Sequence, residues 1–455
     1  MSGLFGTISI ALRAMQAQQG AIAGTSNNIA NLNTPGYSRQ VPVLLETDPT
    51  YTGNVQVGSG VELSGFESIR DDVLELRIQE EQQQQGQLGS TLDAMNQVQT
   101  LFPSDGTGLD QEMSQFFNSL SSLSVDPANI SLRQSVLTAA QNLGKVFQVT
   151  SGKLQKQQSD LNTQVTQAVS QVNQLTSQIA ELNGRISAVP GDSAEAGTFT
   201  DQRNELVQQL ANIIDITFIR SDNSISLTTA NGASLVVGNQ NYQLSTQPDS
   251  SGRIQVMSGA QNMTSEIHSG QLAGLIQVRD TTIPGVLSDL DTLAYNLATQ
   301  FNSVHSAGYD LDGNRGADFF VQPAAQTGAA ASLAVNITSP SQIAASSDAS
   351  NGGNGNLLSL IDLQNQSIVG GSTPLSFYGN LVFRVGSDIS NAQSEQQASD
   401  LVSQQLQDQR GAVSGVSLNE EASNLLRYQR AFEAAARVVD VISTLTETAV
   451  NLGRS

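Results

Sequence analysis

The residues best suited to metal chemistry form a short acidic turn, Asp310-Leu311-Asp312-Gly313-Asn314. Carboxylate and amide oxygens at alternate positions bind Ca²⁺ in EF-hand loops, which also need Gly at the sixth position and Glu at the twelfth. Counted from Asp310, those two positions hold Arg315 and Val321. We therefore interpret the segment as an Asx-type turn, and we predict neither a bound metal nor a cofactor.

Catalytic groups are equally hard to find. The two histidines, His268 and His305, stand apart with no HExxH motif, and a lone His is more often structural than catalytic. The absence of Cys excludes disulfides, Cys-based zinc sites and thiol catalysis. The chain contains neither a Gly-x-Ser-x-Gly elbow nor a Gly-x-x-x-x-Gly-Lys phosphate loop. The sequence therefore predicts that the protein is not an enzyme.

The net charge of the chain limits the classes of partner that it could bind. Its 455 residues carry a formal net charge of −21 at pH 7. Such acidity disfavours nucleic acid, where basic residues must neutralise phosphates, and it also disfavours anionic lipid surfaces. No run of about 20 apolar residues is present, and no basic segment opens the chain as in a cleaved signal peptide. We predict no nucleic-acid or membrane partner, and export, if it occurs, without a cleaved signal.

Each end of the chain carries a regularly spaced stripe of apolar residues, which we call a seam. A stripe with alternating steps of four and three lies on one side of a helix and needs a partner helix to cover it. Arg13 is the one charged residue before Ser38, which suits a helix surrounded by other helices. The seams alone leave a pairing of the two ends and contacts with other copies equally open. They comprise Leu4, Ile8, Ala11, Met15, Gln18, Ile22, Thr25, Ile29 and Leu32, and Leu418, Ala422, Leu425, Tyr428, Phe432, Ala435, Val439, Ile442, Thr446 and Ala449.

Periodicity divides the rest of the chain and predicts a mainly α fold with a β insert. The strongest internal helix signal runs from Leu161 to Val189 and stops at Pro190. We expect an elongated multi-domain protein with paired terminal helices forming a coiled coil. The predicted units are a terminal coiled-coil region (1–38 with 415–455), an extended loop or hairpin (39–67), an elongated helical bundle (68–211 with 272–414, including a mixed segment at 310–390) and an inserted antiparallel β domain (212–271).

Several local expectations follow from shorter patterns. Alternation at two residues predicts that the β insert forms hairpins, which we expect to project from the bundle. Short apolar runs suggest strands at Leu333–Ile337 and Leu381–Val385, with helix resuming near Gln393. Ser417 followed by Glu420-Glu421 matches a capping box at the start of the last helix.

Two motifs at the two ends resemble those of bacterial flagellar rod, hook and hook-associated proteins. The terminal motifs cover about the first and last 40 residues, and weaker internal similarity extends over most of the chain. The motifs are Asn27-Asn28-Ile29-Ala30-Asn31-Leu32-Asn33-Thr34-Pro35-Gly36-Tyr37-Ser38-Arg39-Gln40, then Ser414-Gly415-Val416-Ser417-Leu418-Asn419-Glu420-Glu421 with Tyr428-Gln429-Arg430-Ala431-Phe432.

Within that family, the chain is more similar to the hook-associated proteins than to hook proteins. Hook proteins usually have Phe-Lys where this chain has Tyr37-Ser38-Arg39-Gln40 after the Pro-Gly turn. Asp201-Gln202-Arg203-Asn204-Glu205-Leu206 and the segment from Gly308 to Phe320 add to the similarity. The resemblance implies a structural role at the junction between hook and filament. A hook or rod protein of the same family and a secreted coiled-coil adhesin are the alternatives.

The resemblance also implies the partners and location. These are self-assembly, contacts with hook protein, a second junction protein and the filament cap, a cytosolic export chaperone on the C-terminal helix, and an extracellular place in the flagellum. Isolated amphipathic helices are marginal in water, so we expect the ends to order and pair only beside neighbouring copies. The predicted assembly interface comprises Leu4, Ile8, Ala11, Met15, Ile22, Asn28, Ile29, Leu32, Pro35, Tyr37, Leu418, Leu425, Tyr428, Phe432, Ala435, Val439 and Ile442.

Overall fold

The computed structural model describes residues 2–52, 55–103, 108–221, 224–350 and 352–452. Helices dominate the described residues, and the strands form four small antiparallel sheets. The helices are α1 Ser2–Ala30, α2 Asp72–Gln99, α3 Leu109–Val125, α4 Ile130–Ala188, α5 Ala194–Ile213, α6 Gly270–Gln277, α7 Ile283–His305, α8 Ala329–Ser332, α9 Gly355–Asp362, α10 Pro374–Ser414 and α11 Leu418–Leu452.

The strands are shorter and fall in two parts of the chain. Strands β1 and β4 pair as a hairpin whose outer part is the β2–β3 pair. The central strands form one sheet in the order β5-β6-β7-β8 and another in the order β11-β10-β9. The strands are β1 Gln40–Glu46, β2 Thr50–Thr52, β3 Val55–Val57, β4 Val61–Ser68, β5 Ile216–Ser221, β6 Ser224–Thr229, β7 Ser234–Val237, β8 Gln240–Asn241, β9 Leu244–Pro248, β10 Ile254–Ser258 and β11 Gln261–Asn262.

We call residues 72–414 the body, and α4 is its longest helix. It is 59 residues long, and its regularly spaced apolar side chains are buried against α3, α5 and the small sheets. The Asn129 side chain caps its first turn by accepting the N–H groups of Ser131 and Leu132. Two residues beyond its end stands Pro190, which cannot donate a helix hydrogen bond. The predicted helix signal and its stop are confirmed.

The small sheets lie along α4, held by three asparagines on that helix. Asn183 donates to the carbonyls of Ile225 (2.8 Å) and Gly238 (2.7 Å). Asn173 both donates to the Leu244 carbonyl and accepts its N–H. Asn162 does the same for the carbonyl of Gly252 and the N–H of Ile254. These amides satisfy backbone groups that strands leave unpaired at their edges. The expectation that the β insert projects from the bundle is therefore wrong.

The region before the last helix also differs from expectation. Thr373 caps the start of α10, and Pro374 occupies its first turn, where a missing N–H has no consequence. Leu381 and Val385 are both buried, but as neighbouring turns of this helix. The predicted strand at 381–385 and the helix start near Gln393 are therefore wrong. At 333–337, Val335 makes only an isolated bridge to Phe320, so the predicted strand is wrong there too.

The turn at Asp310 and the overall fold class both agree with the sequence-based expectations. The Asp310 carboxylate accepts the backbone N–H groups of Asp312 (2.9 Å) and Asn314 (2.8 Å), which confirms the Asx-type turn. The fold class is also confirmed: the described chain is mainly α, has small antiparallel sheets, and packs α1 against α11. The predicted domain boundaries remain a prediction.

The end of α7 lies in an aromatic core. Ring centroids are 5.2 Å apart between Phe116 and Phe301 and 4.8 Å apart between Phe301 and Phe319. His305, fully buried beside them, has its Nδ1 2.6 Å from the Ala317 carbonyl, and its Nε2 accepts the Ala344 N–H at 2.9 Å. Both contacts fit a neutral ring protonated at Nδ1. Burial lowers the pKa of His305 to about 4, because a charged ring would lose its hydration.

This environment predicts a pH-dependent stability. In the unfolded chain, a His has a pKa of about 6.5, so the unfolded state binds the proton first as the pH falls. The contribution of His305 should be complete above pH 6.5 and should be lost as the pH falls to about 4. The free energy of unfolding should therefore drop by about 3 kcal/mol more in the wild type than in His305→Gln. Urea unfolding at pH 7 and pH 4 measures this difference.

The control is His268→Gln, because the His268 side chain is exposed. This variant should keep the pH dependence of the wild type. The same pH dependence in His305→Gln as in the wild type would contradict the assignment.

Candidate assembly site: the terminal helix pair and its joint to the body

The two terminal helices pack against each other within one chain. Asn28 near the end of α1 donates a hydrogen bond to Glu421 near the start of α11. The two helices therefore pack antiparallel. Buried apolar side chains along this terminal pair are small on α1, where Ala11 and Ala21 are covered, and larger on α11, where Tyr428 and Ile442 are covered. Alternating small and large side chains let two helices approach closely. The two ends therefore pair within one chain, and the expectation that they order only beside neighbouring copies stays a prediction.

The β1–β4 hairpin covers another side of α1. A Cβ at Gly20 would lie 2.3 Å from the Leu63 side chain, and a Cβ at Gly24 would lie 2.3 Å from Phe66. Both glycines therefore allow the hairpin to approach the helix more closely than any side chain would. Further out, the Arg13 guanidinium donates to the Ser59 carbonyl at 3.4 Å. Helix α1 is thus enclosed by α11 and the hairpin on two of its sides.

Asn28 lies where the terminal pair meets the body. Its side-chain NH₂ donates to the Gln40 carbonyl (2.9 Å) and to the Glu421 carboxylate (3.1 Å). Its carbonyl oxygen accepts the Tyr37 hydroxyl (2.8 Å) and the Gln40 N–H (3.0 Å). With an exposed fraction of 1%, this amide uses both its donor and its acceptor capacity inside the protein. One side chain thereby links α1, the following loop and α11.

The same loop is attached to α5 through Asp201. Its carboxylate accepts the Ser38 N–H (2.9 Å) and the Ser38 hydroxyl (2.8 Å). It also accepts two hydrogen bonds from the Arg70 guanidinium, which in turn donates to the Gly197 carbonyl. Burial, together with the negative charges of Asp201 and Glu421, raises the pKa of Tyr37 to about 12, so its hydroxyl remains a donor.

Two arginines attach the loop to α10 and α11. The Arg410 guanidinium donates to the Gly36 carbonyl (2.8 Å) and to the buried Glu75 carboxylate (2.6 Å). Arg39 pairs with Glu420, while its backbone N–H donates to the carbonyl of Ser414, the last residue of α10. Gly36 itself has φ +77°, which a side chain would disfavour.

We call this network the joint: Asn28, Tyr37, Ser38, Arg39, Arg70, Glu75, Asp201, Arg410, Glu420 and Glu421. The joint also bears on the capping box predicted at the start of the last helix. The Glu421 carboxylate accepts a hydrogen bond from Asn28, and the Glu420 carboxylate pairs with Arg39. These two carboxylates therefore connect α11 to α1 and to the loop.

The predicted interface residues differ in their exposure within the chain. Two are exposed, four are buried, and the other eleven are half-buried. Pro35 and Leu418 are exposed and Tyr37 is half-buried at the joint; Ala11, Asn28, Tyr428 and Ile442 are buried; Leu4, Ile8, Met15, Ile22, Ile29, Leu32, Leu425, Phe432, Ala435 and Val439 are half-buried.

Apolar side chains outside the predicted seams are left exposed on the terminal pair. Val438, Val441 and Leu445 follow one another at helical spacing on α11, and Val441 is 59% exposed. Phe5 and Leu12, seven residues apart on α1, are also exposed. We call these five the outer residues. Sequence reasoning missed them because it assigned a single stripe to each helix. A second apolar stripe beside the first was the available signal.

Over the described ranges, no helix is both long enough and apolar enough to span a bilayer. Nor do those residues bring together three or more His, Asp or Glu side chains that could hold a metal ion.

Three family models match separate parts of the chain. Residues 95–320 match the helical domain of the flagellar hook-associated protein FlgK. Residues 8–37 match the flagella basal body rod protein family, and residues 409–452 match the C-terminal region of the flagellar basal body rod FlgEFG proteins. The two terminal matches include Asn28 and Tyr37 of the joint and the start of α11.

Similar proteins match along nearly the whole chain. Flagellar hook-associated protein 1 of Bacillus subtilis is 30% identical, and the alignment covers 99% of each chain. The Salmonella typhimurium protein of the same name is 27% identical, with 98% of this chain and 99% of that protein covered. The solved structure of the flagellar hook junction protein FlgK from Burkholderia pseudomallei superposes with a TM-score of 0.67 at 16% identity, covering 74% of this chain and 100% of that chain.

The geometry predicts a gradient of stability along the terminal pair. Side chains near the joint, at Ala21, Thr25 and Asn28, are buried, whereas Phe5 at the outer end is exposed. Hydrogen exchange in the purified chain should therefore be slow at residues 21–28 and faster toward the outer ends of both helices. Uniformly fast exchange along α1 and α11 would show instead that pairing waits for neighbouring copies.

Proposed function

This chain belongs to the flagellar hook-associated protein 1 family, and on that premise we propose that it polymerises through its terminal helices to form the junction between hook and filament. The observation that carries the proposal is the terminal pair, in which two helices cover each other but leave the outer residues exposed. Apolar residues that recur along a helix mark a surface for another protein. Neighbouring copies would cover them in an axial assembly.

Charge supports contacts between like copies. Helix α1 carries one charged residue, Arg13, and α11 carries three Arg against five acidic residues. The chain as a whole has a net charge of −21, so most of the excess negative charge lies in the body. Because like charges repel when identical surfaces meet, the nearly neutral terminal pair is the part best suited to close packing between copies. The acidic body fits the outside of such an assembly.

The match along the body distinguishes between members of the axial proteins. Rod and FlgEFG models match only the two ends, whereas the FlgK helical-domain model matches residues 95–320. This pattern favours a hook-associated subunit over the alternative of a hook or rod protein. The family is one of structural proteins, which supports a role without catalysis.

The same proposal implies individual partner proteins for the subunit. Contacts with hook protein on one side, and with a second junction protein and the filament cap on the other, would place the subunit in the extracellular flagellum. Before assembly, the exposed Val438, Val441 and Leu445 would favour aggregation. A cytosolic export chaperone bound to α11 would cover them until the chain is exported without a cleaved signal.

Deletion of the gene tests the proposed function directly. We expect cells with hooks but no filaments and with flagellin released into the medium, because filament subunits would lack their attachment. Electron microscopy of the cell surface and immunoblotting of the medium measure these outcomes. Normal filaments on the deleted strain would refute the junction role, and absent hooks would favour the hook or rod alternative.

Substitution of an outer residue tests the assembly surface. Val441→Asp should leave the free energy of unfolding within about 0.5 kcal/mol of the wild type, since the side chain is exposed in the free chain. Copies packed against this surface would have to bury an unpaired carboxylate, so filament attachment should be lost. Swimming in soft agar and filament counts measure the effect in the deletion strain.

The matched control is Ile219→Asp on strand β5, where an equally apolar side chain is 68% exposed far along the chain from the terminal helices. This variant should restore swimming. Normal swimming with Val441→Asp would contradict the assignment of this face of α11 to assembly.

A further inference from the structure

All three lysines of the chain lie close together on helix α4. Lys145, Lys153 and Lys156 are exposed, and residues 134–159 of the helix contain no acidic side chain. Among the described residues, Lys156 pairs with Asp160, but no carboxylate pairs with Lys145 or Lys153. Because the whole chain has a net charge of −21, this stretch is a local excess of positive charge. We call the three lysines the lysine face.

Helix α10 carries the opposite charge over a stretch of similar length. Residues 385–409 include Asp388 and Glu395 and contain no basic side chain. Both carboxylates are exposed, and neither pairs with a basic residue of the described chain. We call these two residues the acidic face. At a rise of about 1.5 Å per residue, they stand about 10.5 Å apart along α10, and Lys145 and Lys153 stand about 12 Å apart along α4. The two pairs of charges therefore match in spacing.

The acidic face borders a groove between α2 and α10. The groove has a volume of about 300 Å³, and its lining includes Asp388, Glu395 and Asn391. Thr91 also lines it, is 8% exposed, and has a hydroxyl oxygen without a hydrogen-bond partner in the described chain. An unsatisfied acceptor beside two carboxylates favours a group that only donates hydrogen bonds. The ammonium group of Lys has three N–H donors and no acceptor.

The two faces lie at the same level of the body but on different sides of it. Helices α4 and α10 both pack against α2 and α7, but they are not packed against each other. Gln158, close to the lysine face, donates to the Arg279 carbonyl, whereas Gln277 and Thr282 line the groove beside the acidic face. Residues 277–282 therefore lie between the two faces. The lysine face of one chain cannot reach its own acidic face.

We propose that the lysine face of one copy binds the acidic face of the next copy in the assembly. The inference deepens the proposed function and rests on it, because packed terminal pairs bring the bodies of neighbouring copies side by side. Two different surfaces on two sides of one body form a head-to-tail contact, which repeats from copy to copy around a ring or a helix. A two-fold contact would instead place each face against itself and bring like charges together.

Electrostatics gives this contact a role that apolar packing lacks. Acidic bodies repel one another when they are brought side by side. A single exposed ion pair contributes little to affinity, but complementary charges fix the register of two surfaces and disfavour wrong neighbours. The lysine face therefore provides a place where one acidic body can meet another, at a defined position along α10.

Charge reversal in the deletion strain tests the contact. Lys145→Glu with Lys153→Glu reverses the lysine face, and Asp388→Lys with Glu395→Lys reverses the acidic face. Either double variant should lower the number of filaments per cell by about tenfold, because like charges then oppose each other at every contact. All four substitutions together restore opposite charges across the contact, so filament number should return to within about twofold of the wild type.

The matched control is Glu266→Lys with Asp312→Lys. Both side chains are exposed outside the acidic face, and the variant changes the net charge by the same amount as reversal of that face. It should keep the filament number of the wild type. Immunoblots of the medium and urea unfolding of the purified chains check that every variant is exported and folded. Normal filaments in both double variants, or no recovery in the fourfold variant, would overturn the proposal.

Thiol cross-linking tests the same contact without relying on charge, because the chain contains no Cys. A full-length chain with Lys153→Cys and Glu395→Cys carries its two thiols on different sides of the body. A short bismaleimide should therefore join them only between copies, and junctions isolated with their filaments should give a ladder of multimers on denaturing gels. The control chain, with Lys153→Cys and Asp312→Cys, should remain monomeric. No ladder with the first pair, or an equal ladder with the control, would contradict the contact.

The two experiments separate this inference from the proposed function. Normal filaments in the deletion strain itself would refute the junction role and remove the premise of the inference. Filaments that depend on the protein, together with no ladder and no recovery in the fourfold variant, would overturn the contact between the two faces alone. Recovery and a ladder together would support both.

Discussion

The four hydrogen bonds of the buried Asn28 amide impose the constraint on which the terminal half of the architecture depends. A buried amide that loses its partners is strongly disfavoured, so α1, the loop after it and α11 must be in place together. Residues at opposite ends of the chain are thereby ordered by one side chain. Asp201 extends the same constraint into the body, because its carboxylate holds the loop against α5.

Two kinds of stabilisation are thus separated in the molecule. The body is held by a continuous apolar core around α4, with buried asparagines that pair with the edges of the small sheets. The terminal pair is held by small side chains, by a hairpin seated on Gly20 and Gly24, and by the joint. Apolar side chains of the terminal pair stay exposed in this arrangement, and the proposed contacts between copies would cover them. Membership of a family of flagellar junction proteins gives that exposure a reason.

Local patterns in the sequence predicted the parts whose periods are long and regular. Helix α4 and the central strands fall where their apolar spacing indicated. The run at 381–385 was misread as a strand because short apolar runs fit either period, and the cap at Thr373 decides for helix. The position of the small sheets on α4 could not be predicted, because the asparagines that hold them are ordinary polar residues in sequence.

The apolar spacing and the few charges of the two chain ends are enough to identify them as amphipathic, nearly neutral helices, and their motifs indicate the family. Which apolar side chains the chain covers itself, such as Tyr428, and which it leaves outside, such as Val441, is visible only in the folded chain. It alone also showed that the Asn28 and Asp201 motifs meet in one joint. The reason is physical: helical period is set by neighbours in sequence, whereas burial and hydrogen-bond partners here join residues hundreds of positions apart.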